Sequence, residues 1–388
     1  MKTVIISIDE YIFKSDGRYY GDTVGFDLVR RYADNFEKVH LISRIKSVER
    51  GHLGQHNYLL PFQNVVFYDV PFFTSLNELI HNYSSINRVI SESLNGCNVA
   101  LIRVPSIIGF ITLIRLKHIP FFLEVVANPY EMFMGYKGLA KIQSLLMHFM
   151  LKHYCRKAKA LAFVTKESQQ KRYELNKEKE NNTFYSSIEL KKDFYSDTIL
   201  KHALFDNKAL PLQITHVANV ISGNIKGHRE VINVAVALKR AGRDVELSFA
   251  GDGPDIDLYK GFALQNGIKA RFLGFIDKDQ LRGILLNSDF FLFPSKSEGL
   301  PKVLIEAMAV SIPCIASDVG GIPELLPPDN VFDSYDVDGM SKRILELASS
   351  KDNYCENAKL MFSTALEYES SVLAQRRQFF YYKLSQLA

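Results

Sequence analysis

Long apolar runs are missing from this chain. None reaches the roughly 18 residues that a membrane-spanning helix requires, so no such helix is expected. The N-terminus, MKTVIISID, reads as a short strand and has no extended apolar stretch of the kind a secretory signal carries. Cysteine is sparse as well. Cys97, Cys155, Cys314 and Cys355 are scattered without the paired spacing of a metal site, and they read as reduced thiols of a cytoplasmic protein. Charge of one sign does not predominate: 47 basic residues against 43 acidic ones leave +4, too little for a dedicated nucleic-acid binder.

What is present is a large apolar complement. At 388 residues and 47% hydrophobic content the chain is long enough for two or three domains with buried cores. Strands are expected at Thr3–Ile8, Val39–Ser43, Val65–Asp69, Val99–Val104, Pro120–Val125 and Ala160–Val164, with helices between them such as Asp22–Phe36 and Leu139–Cys155. Strand then helix, repeated, implies an α/β domain on a parallel sheet, whose ligands bind beyond the carboxyl ends of the strands. A polar, charged stretch from Leu190 to Ala209 breaks the pattern and marks a domain boundary. Alternation resumes at Gln213–Val217, Glu246–Ala250, Arg271–Phe275, Phe290–Phe293 and Pro313–Ala316. The expected domains are residues 1–195 and 205–367, followed by an aromatic-rich helix over 368–388.

Three places in the first half draw attention. The loop after the first strand, Asp9–Asp22, holds Gly17 and Arg18, where glycine lets backbone approach a ligand closely. It is not a Gly-x-Gly-x-x-Gly fingerprint, so no dinucleotide site is expected there. Glu124 and Asn128 lie at the end of another strand and are expected to reach a ligand cleft, although Asn128-Pro129 also suits a plain turn. Between Lys141 and Lys159, apolar Ile142, Leu145, Leu146, Phe149 and Met150 are mixed with six basic residues, Lys141, Lys152, His153, Arg156, Lys157 and Lys159. Such a helix packs on a sheet or lies on an anionic membrane surface.

The most informative stretch runs from Phe290 to Glu324, FFLFPSKSEGLPKVLIEAMAVSIPCIASDVGGIPE. It reads as an apolar strand, a polar loop, a helix opening near Gly299 or Leu300, a second apolar strand and a glycine-rich turn. Glu298 sits at the helix mouth, and Glu306 is expected about two turns inside. At about 1.5 Å of rise per residue the pair spans roughly 12 Å. Unpaired amides at a helix start favour phosphate between the two carboxylates. That arrangement suits a nucleotide sugar, with one carboxylate for each of its sugars.

The string Pro294-Ser295-x-x-Glu298-Gly299-Leu300-Pro301-x-Val303-Leu304-Ile305-Glu306-Ala307-Met308-Ala309, followed by Ile312 to Glu324, resembles the donor signature of glycosyltransferase family 4. The resemblance covers about Leu212 to Leu347 and, more faintly, the first half. It implies the GT-B fold, in which two Rossmann-like α/β domains face a cleft and a C-terminal helix crosses back to the first. It further implies a retaining, metal-independent enzyme that moves sugar from a UDP- or GDP-linked donor to a glycan or lipid-linked acceptor. Cell-surface polysaccharide synthesis at the inner face of the membrane is the implied setting. Glu298 would hydrogen-bond the transferred sugar and Glu306 the ribose. Lys226, Gly299 and Leu300 would hold the diphosphate, with Pro301 in the same loop. Gly251 and Phe275 would border the donor and its base, and Gly17, Arg18, Glu124 and Asn128 the acceptor side. Two departures stand out: Asn219 occupies the place of the family's diphosphate arginine, and Ala127 that of a sugar-contacting histidine.

Three Asp-x-Asp triplets, Asp255/Asp257, Asp277/Asp279 and Asp336/Asp338, begin or precede expected helices and read as caps rather than metal ligands. Rival readings are a sugar-nucleotide epimerase or phosphorylase, and a non-catalytic membrane-associated scaffold that keeps the fold.

Overall fold

A computed structural model describes residues 3–54, 57–129, 139–173, 182–188, 190–198, 205 and 210–387. Much of the polar stretch Leu190–Ala209 lies outside these residues. The chain divides into two compact units. Unit 1 comprises Met1–Val164, Gln169–Tyr185 and Gln375–Ala388, and unit 2 comprises Thr165–Ser168 and Ser186–Ala374. The passage between them at Tyr185/Ser186 precedes the polar stretch that marks a boundary in the sequence.

Unit 1 is built on a 10-stranded sheet. Its strands are β1 (Thr3–Ser7), β2 (Ile12–Ser15), β3 (Arg18–Gly21), β4 (Lys38–Ser47), β5 (Tyr58–Leu59), β6 (Val65–Pro71), β7 (Val99–Val104), β8 (Phe121–Val125), β9 (Ala160–Phe163) and β10 (Thr183–Phe184). The order is β10-β9-β8-β7-β1-β4-β2-β3-β5, with β6 also on β4. Pairing is parallel except for β2/β3 and β3/β5. Helices α1 (Thr23–Asn35), α2 (Leu76–Ser93), α3 (Ile107–Arg115) and α4 (Leu139–Lys157) belong to this unit, and α5 (Ser168–Arg172) begins in unit 2 and continues into it. Alternation along β8 decides what each face meets. Leu123 and Val125 join the core formed with α2 and α3, whereas Phe122 and Glu124 point to the opposite face.

Unit 2 has a six-stranded parallel sheet, ordered β13-β12-β11-β14-β15-β16. These strands are β11 (Leu212–Val220), β12 (Val245–Asp252), β13 (Lys269–Phe272), β14 (Phe290–Phe293), β15 (Cys314–Ser317) and β16 (Val331–Phe332). Its helices are α6 (His228–Arg240), α7 (Ile256–Gln265), α8 (Lys278–Leu286), α9 (Lys302–Met308), α10 (Val337–Ser349) and α11 (Lys351–Leu366). The apolar sides of β11, β12, β14, α6 and α10 close one core. The final helix, α12 (Ser370–Gln386), starts in unit 2 and ends in unit 1.

Candidate active site

The site grows from three loop-to-helix turns at the carboxyl edge of the unit 2 sheet. β11 ends in Asn219 and Val220, and a turn then carries Lys226 to the start of α6. Gly227, in the left-handed region at φ 78, makes this possible, because a Cβ there would lie 2.2 Å from the Pro294 carbonyl oxygen. That close approach brings Lys226 against the loop after β14. Its Nζ lies 2.6 Å from Glu298 Oε1, and the Ser295 hydroxyl donates to the same oxygen at 2.7 Å. The Glu298 side chain is only 10% exposed and that of Lys226 34%.

On the other side of this loop, Gly320 packs against the Glu298 backbone, and a Cβ added there would sit 2.0 Å from the Glu298 carbonyl oxygen. The Gly321 amide donates to the Gly299 carbonyl at 2.6 Å. The glycine-rich turn is thus a mould for the Glu298-Gly299 backbone. Nearby, Glu324 accepts from the amides of Lys166, Glu167 and Ser168, which ties Thr165–Ser168 to unit 2.

One cavity of about 580 Å³ gathers residues far apart in sequence. Asn219, Lys226, Gly251 and Phe275 line one part of it, and Glu298, Leu300, Pro301 and Glu306 another. Gly299 lies in the same loop. Gly251 donates to the Gly274 carbonyl at 2.8 Å, which joins the β12 turn to the turn after β13. Phe275 is exposed. Burial pushes the Glu306 carboxyl upward, against the opposing pull of Lys278 and Lys302.

Sequence reasoning missed Lys278 and Lys302, both of which line this cavity, and Ser295, which holds Glu298. Lys302 directly follows the Glu-Gly-Leu-Pro run and Ser295 lies three residues before Glu298, so both were within reach of a motif reading. Lys278 carries no such signal, because only the fold of α8 brings it here.

Several expectations need correction. The helix after Glu298 begins at Lys302, because Pro301 in an extended conformation serves as its N-cap residue. Glu306 is therefore little more than one turn inside, and Gly299 and Leu300 belong to the loop. β13 ends at Phe272, since Gly274 turns the chain at φ 67. The Asp9–Asp22 loop is largely a hairpin: Asp16 and Gly17, at φ 49 and 74, form the two-residue turn between β2 and β3, with Arg18 exposed beside it. Glu124 does not reach a ligand cleft. It is buried and accepts hydroxyls from Tyr32 at 2.7 Å, Tyr185 at 2.6 Å and Tyr381 at 2.8 Å. Asn128 is buried too and accepts from the Tyr173 hydroxyl at 3.1 Å. Among the Asp-x-Asp triplets, Asp277 and Asp336 cap their helices through their side chains, whereas Asp255 accepts from the Gly223 amide instead.

Two α/β units, the second with a cavity at its strand ends, share the GT-B fold of solved glycosyltransferases, and the sequence comparisons make the chain a glycosyltransferase. The solved structure of HepE from Anabaena in complex with UDP-glucose shares this fold, at a TM-score of 0.60 and 15% identity with 100% of both chains covered. Residues 212–360 match the family model described as Glycosyl transferases group 1. Protein CapJ of Staphylococcus aureus is 28% identical over 91% of this chain and 89% of its own length. The putative teichuronic acid biosynthesis glycosyltransferase TuaC of Bacillus subtilis is 33% identical over a shorter stretch, 30% of this chain and 29% of its own.

Proposed function

We propose that the unit 2 cavity binds a nucleotide sugar and that the enzyme transfers the sugar, with retention, to a glycan or lipid-linked acceptor in cell-surface polysaccharide synthesis. The observation that carries this reading is the convergence of Lys226, Glu298 and Glu306 on one cavity. Glu298 hydrogen-bonds the transferred sugar and Glu306 the ribose. Lys226 and the loop amides of Gly299 and Leu300 take the diphosphate. The diphosphate gains charge as the glycosidic bond breaks, and fixed donors stabilise that charge. The leaving phosphate helps deprotonate the acceptor hydroxyl on the same face, without a metal. HepE, solved with UDP-glucose, and TuaC, named for teichuronic acid synthesis, support the donor class and the setting.

The test is to incubate the protein with UDP- and GDP-sugars, with and without a lipid extract, and to follow nucleoside diphosphate release and the anomeric configuration of the product. Release independent of any acceptor fraction, or inversion, would refute the corresponding part. Chelator should leave turnover unchanged.

Contact with an anionic membrane surface belongs to the same proposal. Ile142, Leu145, Leu146 and Phe149 of α4 are exposed, and Arg156 and Lys157 lie in its last turn. No described helix is long and apolar enough to cross a membrane. Absence of co-sedimentation with anionic vesicles at low salt would remove this part.

A further inference from the structure

We infer that the groove between α8 and the unit 2 sheet is a second binding site, for a sugar unit that carries one carboxylate or phosphate. The groove is a cavity of about 480 Å³ on the face of the sheet opposite the core of α6 and α10. Strands inside a parallel sheet are ordinarily apolar on both faces. Here two rungs are polar: Gln213, Glu246 and Lys269 side by side on β11, β12 and β13, then Thr215, Ser248 and Arg271. Helix α8 does not close over them. Its buried residues are Leu281 and Leu285, and Gly283 lies within it where a Cβ would meet nothing within 4 Å. Glycine is a poor helix former, and no close contact requires it at this position. The missing side chain keeps the groove open.

The lining supplies both kinds of hydrogen-bonding group. Arg271 donates to the buried Ser248 hydroxyl at 3.1 Å and has no ion pair among the described residues. That leaves the rest of its planar fork, which suits a carboxylate or phosphate, and the Ser248 proton as donors. Gln280 accepts from the Asp277 amide at 2.9 Å through Oε1, which leaves Nε2 as a donor. Asn287 donates Nδ2 to the Gly283 carbonyl at 2.8 Å, which leaves Oδ1 as an acceptor. Ile276 and Ile284 add apolar surface. Hydroxyls, C–H faces and one anionic group on a single small ligand match that set, in a volume ordinary for ligand pockets. Arg271 is the one charged residue of the lining. The acids that adjoin it in chain or sheet, Glu246, Asp277, Asp279 and Asp289, lie outside it. Glu246 accepts from Gln213 Nε2 at 3.3 Å and sits 3.5 Å from Lys269 Nζ, while Asp289 accepts from the Gln213 amide at 2.8 Å. Ile276 lines this groove and the donor cavity alike, and α8 presents Lys278 and Leu281 to the one and Gln280 and Ile284 to the other. An occupant of the groove therefore bears on the donor cavity, a coupling that rests on the nucleotide-sugar reading above.

Calorimetric titration of the whole chain with glucuronate and with glucose 1-phosphate, against glucose and inorganic phosphate, tests the site. At least one of the two anionic sugars should bind about tenfold more tightly than glucose or phosphate, and the tighter one tells a uronate ligand from a sugar phosphate. Arg271→Ala should weaken that sugar by about tenfold, the scale of one charge-assisted hydrogen bond, and leave glucose unchanged. Gly283→Leu should abolish binding while the melting temperature holds, and Gly283→Ala, which favours the helix, serves if the leucine variant folds poorly. Failure of both anionic sugars to bind the wild type, or unchanged affinity in the Arg271 and Gly283 variants, overturns the site. With the groove saturated, the affinity for UDP or GDP should shift by about threefold or more. An unshifted affinity overturns the coupling alone, and a protein that binds neither nucleotide overturns the donor reading while leaving the groove assignment standing.

Discussion

Removing the Lys226 ammonium is the most direct perturbation of this site, and the geometry lets its consequences be separated. The ion pair is short, at 2.6 Å, and its acid is the more buried partner, 10% exposed against 34% for the lysine. In Lys226→Ala the Glu298 carboxylate keeps the Ser295 hydroxyl but loses its counter-charge. Breaking a fully buried pair costs about 3–5 kcal/mol, and an exposed pair is worth less than about 1 kcal/mol. With one partner a third exposed, a loss of about 2 kcal/mol of unit 2 stability is expected. Turnover should fall by about 10²–10³, the usual loss on deleting one donor to developing charge. A Glu298→Gln change in the same background removes the uncompensated charge. It should restore at least about 1 kcal/mol of stability, the coupling a double-mutant cycle reads between contacting residues, without restoring turnover. Thermal denaturation and nucleoside diphosphate release from the donor panel measure the two effects. Turnover within about threefold of wild type, or stability losses that simply add, would refute the reasoning.

Other outcomes follow from neighbouring groups. Glu306→Ala should mainly weaken donor binding and Glu298→Ala mainly reduce turnover, as read from KM and kcat on whichever donor is active. His228 is buried between Phe249 and Tyr259, its ring nitrogens have no partner among the described residues, and burial, with Lys226, pushes it down to about 4. The unfolded chain then binds the proton first. Stability should be full above about pH 6.5 and should fall by about 3 kcal/mol as pH drops toward 4. His228→Phe should flatten that acid limb in pH-resolved melts, and an unchanged limb would count against the assignment. Gly320→Ala forces a Cβ into the Glu298 carbonyl, so it should lower both the melting temperature and kcat/KM. Glu124→Leu leaves three buried tyrosine hydroxyls without their acceptor and should cost about 3 kcal/mol or more. Full stability in that variant would show the cluster to be dispensable.

Much of the fold was legible because strands announce themselves by burial. Phe290–Phe293 and Val99–Val104 were read at their observed bounds, since an apolar run enclosed on both faces of a parallel sheet has few other solutions. Helix α1 was likewise marked by Asp22, whose side chain accepts from the Gly25 amide. The hairpin at Asp16-Gly17 was missed even though its turn chemistry was present, because a ligand loop and a tight turn use the same glycine.

The sequence by itself determined the local pieces: the strand-and-helix alternation, and the Glu298 to Glu306 string with the lysine and glycines that accompany it. These depend on neighbours along the chain. Only the tertiary structure decided which way side chains point and which distant groups meet. The pleat of β8 turned Glu124 inward onto tyrosines of three separate segments. The start of α8 delivered Lys278 to Glu306. Burial and long-range charge belong to arrangements in space, and no spacing in the sequence encodes them.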